Sequence, residues 1–277
     1  DDLKIFSDQT PTPAHSSPGH VRSSLLQDSL DIIFSWSTLW QLQISFPKCS
    51  VLSISNSKSP KPRHYTIQTN TIPQVSSCMD LGVIMDSRLT FSSHVHNLAR
   101  KAYIQSILVS RCFLSKNPSL LTRAFTSYVR PILEYVSPVW SPHFVKDITL
   151  LEQVQRRFTK FFYNIKFLPY PTRLARLDLQ SLSLRRSHLD LCTCFKIIHE
   201  LTPLDPAFFF TLRDTVTRGH TFALVKPIAR LDSNKYFFSS RIIDNWNALP
   251  ETVVSAGSLP AFKYKLKRTT LKVGSDN

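Results

Sequence analysis

The stretch from His94 to Leu114, HVHNLARKAYIQSILVSRCFL, carries the clearest structural signal in the chain. Its apolar residues recur mostly three or four positions apart, with polar and basic residues between them, which is typical of an amphipathic α-helix. The apolar positions are Val95, Leu98, Ala102, Ile104, Leu108 and Val109. Asn117 and Pro118 end the pattern, because proline cannot continue a helix and restricts the residue before it. We therefore expect a long helix here, opening a helical region.

Three segments downstream repeat the helical pattern. Residues 119–142, SLLTRAFTSYVRPILEYVSPVWSP, include Pro131, which predicts a kinked helix. Residues 147–163, DITLLEQVQRRFTKFFY, predict a helix with Asp147 as its N-cap. Residues 174–201, LARLDLQSLSLRRSHLDLCTCFKIIHEL, predict one or two more helices. The last 70 or so residues are less periodic.

Upstream of the long helix the pattern is mixed. Another helix is expected over about residues 21–42, with the apolar positions Leu25, Leu26, Leu30, Ile33, Phe34 and Leu39. The segment CSVLSIS then alternates with period two, which predicts a short strand with Val51 and Ile54 facing inward. Residues 64–91 are rich in β-branched residues around the turn-like MDS at 85–87, which predicts a small antiparallel β unit. The expected fold class is α+β, mostly α.

The charge balance narrows the classes of partner that this protein is expected to bind. There are 34 Lys and Arg against 19 Asp and Glu, and residues 61–200 alone hold 19 basic and 8 acidic side chains. Such an excess of positive charge indicates a polyanionic partner, most often nucleic acid. Only 5 glycines are present, which argues against glycine-fingerprint nucleotide folds. No apolar stretch approaches the ~20 residues of a membrane span, and the five cysteines form no disulfide framework, which indicates a reducing, intracellular compartment.

One helix combines the basic and aromatic signals. In LEQVQRRFTKFFY, Arg156, Arg157 and Lys160 alternate with the aromatic residues Phe158, Phe161, Phe162 and Tyr163. We interpret the aromatic rings mainly as core residues, on ordinary burial preference, and the charges as phosphate contacts.

A metal site in SHLDLCTCFKIIHE is disfavoured. His188, Cys192 and His199 fall on one side of a helix, but the eleven residues from first to last span about 16 Å along the axis. A zinc ion needs four converging ligands. We interpret this stripe as a packing face.

The chain begins DDLKIF, and this pair of aspartates heads a series of motifs in a fixed order. They are LLQDSLDIIFSWSTLWQLQISFPKCSVLSIS, DLGVIMDSRLTFSSHV, RKAY, YVRPILEYVSPVWSP, LEQVQRRFTK, RLARLDLQSLSLRRSHLDL, TRGH and FFSSRIIDNWNALP. Together they resemble the C-terminal part of the reverse transcriptases of non-LTR (LINE-type, jockey-like) retrotransposons. The resemblance extends from Asp1 to about Leu266.

The resemblance implies a site and a cofactor. Asp1 and Asp2 match the catalytic aspartates of the polymerase palm, which bind Mg²⁺. Lys48 matches a lysine that helps to protonate the leaving group, although Ser45 stands where the family usually has Asn. A further palm aspartate and the fingers lie upstream of the Asp-Asp pair in this family. We therefore expect the isolated chain to be inactive as an RNA-directed DNA polymerase.

The resemblance also implies a domain organisation. It comprises a palm remnant at 1–58, a β unit at 59–91 like the one that grips the primer, a helical thumb-like domain at 92–201 and a basic C-terminal region at 202–277. The expected partners are an RNA template, a DNA primer and the missing fingers and palm of the same polyprotein, with nuclear and cytoplasmic localisation and no membrane. The candidate nucleic-acid contacts are Arg100, Lys101, Arg111, Arg123, Arg130, Arg156, Arg157 and Lys160. Two alternatives remain open: a non-catalytic basic helical module that binds RNA or DNA, and a decayed transposon relic.

Overall fold

The computed structural model describes residues 3–7, 20–55, 64–113, 115, 117–213 and 219–269. The chain divides into two compact units, one up to Leu89 and one from Thr90. Helices predominate, and the strands of the described residues are two to four residues long and lie in the first unit. The expected mostly α-helical α+β fold is therefore confirmed.

The first unit packs one helix, α1 (His20–Leu39), against a small core. Leu26, Leu30 and Phe34 of α1 contact this core, as the helical spacing predicted. The buried core residues are Tyr65, Ile67 and Ile72. Leu25 and Leu39, predicted for the same face, are instead exposed.

A side-chain amide ties α1 to the strands. Gln27 Nε2 donates to the carbonyl of Thr66 at 2.8 Å, and the Thr66 amide donates to Gln27 Oε1 at 3.0 Å. The helix thereby pairs with a strand edge that would otherwise expose its backbone groups.

The strands pair in three separate ladders. They are β1 (Val51–Leu52), β2 (Thr66–Ile67), β3 (Asn70–Thr71), β4 (Gln74–Val75), β5 (Ser77–Asp80) and β6 (Val83–Asp86). The pairs β2–β3 and β5–β6 are antiparallel, as expected, but β1 pairs with β4 in parallel. The β5–β6 turn lies at Leu81 and Gly82, which both have positive φ, and not at the predicted MDS. The prediction that Ile54 faces inward was also wrong, because its side chain is exposed.

The second unit opens with the predicted long helix, α2 (Ser92–Cys112). It is followed by α3 (Pro118–Ala124), a π-helical turn at Phe125–Val129, α4 (Arg130–Glu134), α5 (Ser137–Trp140) and α6 (Val145–Thr159). The π-helical turn interrupts the regular hydrogen bonding just before Pro131, where proline has no amide to donate, which is the predicted irregularity.

The start of α6 differs from the sequence prediction. Phe144 occupies the N-cap, and Asp147 lies inside the first turn with its side chain fully buried. Ser92 Oγ of α2 donates to Asp147 Oδ2 at 2.6 Å. Asp147 is therefore a tertiary contact between α2 and α6, and its assignment as a cap was wrong.

Most of the remaining helices contribute to a core that α8 shares with the C-terminal segment. They are α7 (Tyr170–Arg176), α8 (Leu182–Ile198), α9 (Pro206–Phe209), α10 (Asp232–Lys235), α11 (Phe238–Arg241), α12 (Ile243–Asn247), α13 (Glu251–Val254) and α14 (Leu259–Lys267). Phe195 of α8 stacks on Phe262 of α14 at 4.4 Å, and Trp246 of α12 is fully buried beside them. The thumb-like and C-terminal segments therefore belong to one compact unit.

Candidate nucleic-acid interface

The packing of α2 on α6 determines which basic side chains face outward. The buried side of α2 includes Val95, Leu98 and Ala102, and that of α6 includes Leu151 and Phe158. These positions follow the helical period, so the residues between them are directed to solvent. The basic residues thus exposed on the two helices are Arg100, Lys101, Arg111, Arg156, Arg157 and Lys160.

A cation–ring contact joins the exposed sides of α2 and α6. The Arg157 guanidinium lies 5.0 Å from the centroid of the Tyr103 ring, a favourable arrangement for a cation on an aromatic face. Arg100 is three residues before Tyr103 and therefore its neighbour on the helix surface. The contact brings Arg100 and Arg157 to the same region of the surface, although they are 57 positions apart in sequence.

A second aromatic ring extends this surface to α7. The Arg156 guanidinium lies 4.5 Å from the centroid of the Tyr170 ring, and that of Arg173 lies 5.4 Å from the same centroid. Lys160 follows Arg156 by four positions and projects from the same side of the chain. We define the basic strip as Arg100, Tyr103, Arg156, Arg157, Lys160 and Tyr170.

Buried polar contacts orient Tyr170. Its hydroxyl donates to the carboxylate of Glu152 and accepts from Gln155 Nε2 at 3.0 Å. Glu152 is buried and also accepts from the Leu182 amide at 3.0 Å. Burial, followed by the nearby Glu152 carboxylate, holds the pKa of Tyr170 well above its usual value, so that the hydroxyl stays a donor even in alkaline solution. The ring that contacts Arg156 is thus held by the protein core.

Among the described residues, no carboxylate pairs with the charges of the basic strip. Within the described ranges, no ion pair involves Arg100, Arg156, Arg157 or Lys160. Elsewhere in the second unit, Arg241 forms a bidentate pair with Asp190, at 2.9 and 3.0 Å. The strip therefore keeps its positive charge available to an external anion.

The other predicted contacts lie at different places. Arg111 follows Arg100 by eleven residues, about three turns, and so shares its side of α2, whereas Lys101 is rotated by about 100°. Arg123 is exposed on α3. Arg130 is half-buried, and its Nε lies 3.7 Å from the carboxylate of Glu134, so a phosphate there would compete with that pair.

The predicted catalytic residues, Asp1, Asp2 and Lys48, come from the first 48 positions of the chain. Asp1 and Asp2 lie outside the described residues. Lys48 ends a short 3-10 helical turn, Phe46–Lys48, in the first unit and is exposed.

The aromatic residues of the α6 segment divide between two roles. Phe158 and Phe162 are buried and meet edge to face at 5.5 Å, as the core interpretation predicted. Phe161 and Tyr163 are exposed, contrary to it.

Sequence reasoning missed Tyr103, Tyr170 and Arg173. The period of α2 could have identified Tyr103, which is three residues after Arg100. No local signal identifies Tyr170, because its role depends on Glu152, eighteen positions away on another helix.

The side chains tested as zinc ligands serve in packing. Cys192 is buried in the core shared with the C-terminal helices, and burial raises the pKa of its thiol. His199 Nε2 lies 2.9 Å from the carbonyl of Val254, and its ring contacts Phe195 at 4.2 Å.

No helix within the described ranges has the length and apolar character needed to cross a bilayer.

Comparison with known proteins gives two relatives. An uncharacterized protein of Caenorhabditis elegans is 29% identical over 110 residues, which are 39% of this chain and 56% of that protein. A probable RNA-directed DNA polymerase from transposon X-element of Drosophila melanogaster is 24% identical over 179 residues, 63% of this chain and 19% of the polymerase. No protein-family profile and no solved structure matches significantly. The chain thus spans about half of one relative and a fifth of the other, and it is distantly similar to a transposon RNA-directed DNA polymerase.

Proposed function

We propose that the chain is the C-terminal part of a non-LTR retrotransposon reverse transcriptase, and that its second unit binds the backbone of the template and primer through the basic strip. The observation that carries this proposal is the pair of ring contacts, Arg157 on Tyr103 and Arg156 on Tyr170. They bring cations from separate helices onto one surface, and none of the salt bridges of the described part of the chain involves these cations. The similarity to the X-element polymerase supports the same class of protein.

The dimensions of the strip suit a nucleic-acid backbone. The distance from Arg100 to Arg111 along α2 is about 16 Å, and phosphates of one strand recur every ~3.4 Å along a duplex axis. Helix α2 can therefore lie alongside roughly five phosphates of one strand. Phosphate contacts of this kind position a strand without reading its sequence.

Beside the basic strip, Arg173 has hydrogen-bond donors that lack an acceptor among the described residues. Its side chain is buried, and its Nε and Nη1 have no hydrogen-bond partner among the described residues. A buried donor without an acceptor is costly, more so when it is charged. A phosphate oxygen next to Tyr170 would supply the missing acceptor if the Arg173 side chain turned outward, because both nitrogens are closed to solvent in this conformation.

The catalytic part of the proposal rests on the resemblance alone. The described residues include no group of three or more His, Cys, Asp or Glu that could hold a metal ion. We propose Asp1 and Asp2 as Mg²⁺ ligands and Lys48 as an aid to the leaving group only in a polymerase that also supplies the upstream palm aspartate. Such a protein would act in the nucleus and cytoplasm.

An apolar side of α1 supports a larger palm around the first unit. Ile32, Trp36 and Leu39 of α1 and Trp40 directly after it are exposed, with 51–79% of each residue's surface accessible to solvent. Exposed apolar clusters usually mark contacts with another protein segment. We propose that the remaining palm and fingers of the polyprotein cover these residues.

The basic strip also supports a second function. A helical module that binds RNA or DNA without catalysis needs only the backbone contacts described above. It would use the same residues, and a decayed element could retain them.

The salt dependence of binding tests the strip. With five phosphates of a single strand neutralised, the logarithm of the association constant should fall with log salt at a slope of roughly −3 to −4. Changing Arg156, Arg157 and Lys160 together to Gln should flatten this slope by about two, because each lost phosphate contact contributes about 0.7. Fluorescence anisotropy with a labelled oligonucleotide measures both quantities.

The matched control is the triple change of Lys263, Lys265 and Lys267 to Gln on α14, which removes the same number of exposed charges. We expect a much smaller effect on the slope. If the α14 variant weakens binding and the α6 variant does not, the strip is the wrong surface. Binding that ignores salt would contradict the electrostatic basis of the proposal.

A further inference from the structure

The turn that follows α6 exposes aromatic rings beside the basic strip. Tyr163 is 75% exposed and Phe167 is 86% exposed, and both are within seven residues of Lys160. Single exposed apolar residues are normal on proteins, but two large rings this close together form a local patch.

One ammonium group connects the two rings. Lys166 Nζ lies 4.2 Å from the centroid of the Tyr163 ring and 4.7 Å from that of the Phe167 ring. The three side chains therefore form a small platform of two rings around a positive charge. We call Tyr163, Lys166 and Phe167 the aromatic platform.

Buried residues within the same turn anchor this platform. Phe162 and Ile165 are buried, and the Ile165 amide donates to the carbonyl of Phe162 at 3.1 Å. The Leu168 amide then donates to the carbonyl of Ile165 at 3.0 Å. The backbone that carries the exposed rings is thus held by the core, and the rings need little reordering to bind.

The charge around the platform selects its ligand. Residues 153–176 contain no Asp or Glu and six basic residues, namely Arg156, Arg157, Lys160, Lys166, Arg173 and Arg176. A ligand that offers flat apolar faces and regularly spaced negative charges satisfies both properties. The exposed bases and phosphates of single-stranded nucleic acid meet this description.

We propose that the aromatic platform stacks unpaired bases of a single strand whose backbone follows the basic strip. This inference rests on the proposed function, because it assumes that the strip binds nucleic acid, and it assigns the bound form as single-stranded at this end of the strip. Stacking of this kind tolerates any sequence, since every base has a flat face. A base inside a duplex cannot offer that face, so the platform distinguishes unpaired from paired strands.

The test compares three ligands by fluorescence anisotropy: (dT)₁₂, an abasic strand with the same number of phosphates, and a twelve-base-pair duplex, which carries about twice as many phosphates. Tyr163→Ala and Phe167→Ala should each weaken binding of (dT)₁₂ by roughly thirtyfold, the middle of the range for loss of one base–aromatic stack. Binding of the abasic strand should change less than about twofold. The slope against log salt should be unchanged, because the substitutions remove no charge.

Phe208→Ala provides a matched control. Phe208 in α9 is also 86% exposed, but it lies outside the basic segment. Its replacement should leave all three affinities unchanged. Phe167→Trp should bind (dT)₁₂ as well as the unmodified chain does, and (dT)₁₂ should quench the fluorescence of the new tryptophan. The fluorescence of the tryptophan in Phe208→Trp should not be quenched.

The outcomes separate the platform from the strip. If the alanine variants bind (dT)₁₂ like the unmodified chain while the Gln variant of the strip does not, the platform is wrong and the strip stands. If the alanine substitutions weaken binding of the abasic strand as much as binding of (dT)₁₂, the rings do not stack on bases. If the chain binds none of the three ligands, both proposals fail. If the alanine variants lose binding only to phosphatidylserine vesicles, the platform is a membrane contact instead.

Discussion

Replacing Tyr170 with Phe would separate the buried polar network from the surface that it supports. The change removes the hydroxyl, which donates to Glu152 and accepts from Gln155, but it keeps the ring next to Arg156. Glu152 is only 4% exposed and would keep the Leu182 amide as a donor. A hydrogen bond to a charged group contributes about 1.5–3 kcal/mol, and we expect a loss of that size in the free energy of unfolding.

Urea and thermal unfolding of the whole chain, followed by circular dichroism at 222 nm, would measure the loss. For a unit of about 180 residues, 1 kcal/mol lowers the thermal midpoint by roughly 2–4 °C, so the expected decrease is about 3–12 °C. Nucleic-acid affinity should change by less than about twofold, because the ring remains.

Tyr163→Phe is the matched control, since it removes the hydroxyl of an exposed tyrosine in the adjacent turn. We expect no measurable change in its unfolding midpoint. Equal midpoints for the two variants would show that the Tyr170 hydroxyl contributes nothing to stability. A large loss of affinity in Tyr170→Phe with unchanged stability would also refute the reasoning.

The same variant predicts a difference in pH dependence. The pKa of Tyr170 is raised in the folded chain, first by burial and then by Glu152, so the folded state keeps its proton where the unfolded state releases it. The stabilising contribution is complete below the unfolded pKa of about 10 and is lost as pH rises above it. The unmodified chain should therefore lose up to about 1.4 kcal/mol more per pH unit above pH 10 than Tyr170→Phe. Parallel curves for the two proteins would contradict the burial of this hydroxyl.

The remaining predictions concern activity, local stability and a buried ion pair. The chain should not extend a primer on poly(rA) with Mg²⁺ or Mn²⁺, because two-metal catalysis needs a further carboxylate. Synthesis that is lost in Asp1→Asn and Asp2→Asn would overturn this prediction. Hydrogen exchange should show weak protection before Ser55 and strong protection over 92–201, because the first unit has the smaller core; uniform protection would argue otherwise. Asp190→Asn should destabilise the chain by about 1.5–3 kcal/mol, measured by urea unfolding, because the half-buried Arg241 guanidinium loses its carboxylate partner and keeps only the carbonyls of Tyr236 and Pro138. An unchanged midpoint would show that this pair is not needed.

The local sequence was sufficient to predict features that depend on a single helix or strand. Helix α2 was predictable because its apolar residues keep the helical period throughout, and the interruption near Pro131 because proline lacks an amide. The strand Val51–Leu52 was also expected, but its parallel pairing with Gln74–Val75 was not. Parallel pairing requires a crossover whose path no short-range pattern specifies.

A long-range contact explains the wrong assignment of Asp147 as a helix cap. Asp147 has the sequence context of a helix cap, yet Ser92 from another helix provides its hydrogen bond, and the helix begins two residues earlier.

The sequence by itself determined the mostly helical fold, the excess of positive charge and the resemblance to retrotransposon polymerases, because periodicity, composition and motif order are properties of the chain alone. Only the tertiary structure decided which charges share a surface. Arg157 meets Tyr103, and Arg156 meets Tyr170, because α2, α6 and α7 pack together. The physical reason is that helix packing brings together side chains from distant positions, whereas local patterns determine only the side of a helix on which each one lies.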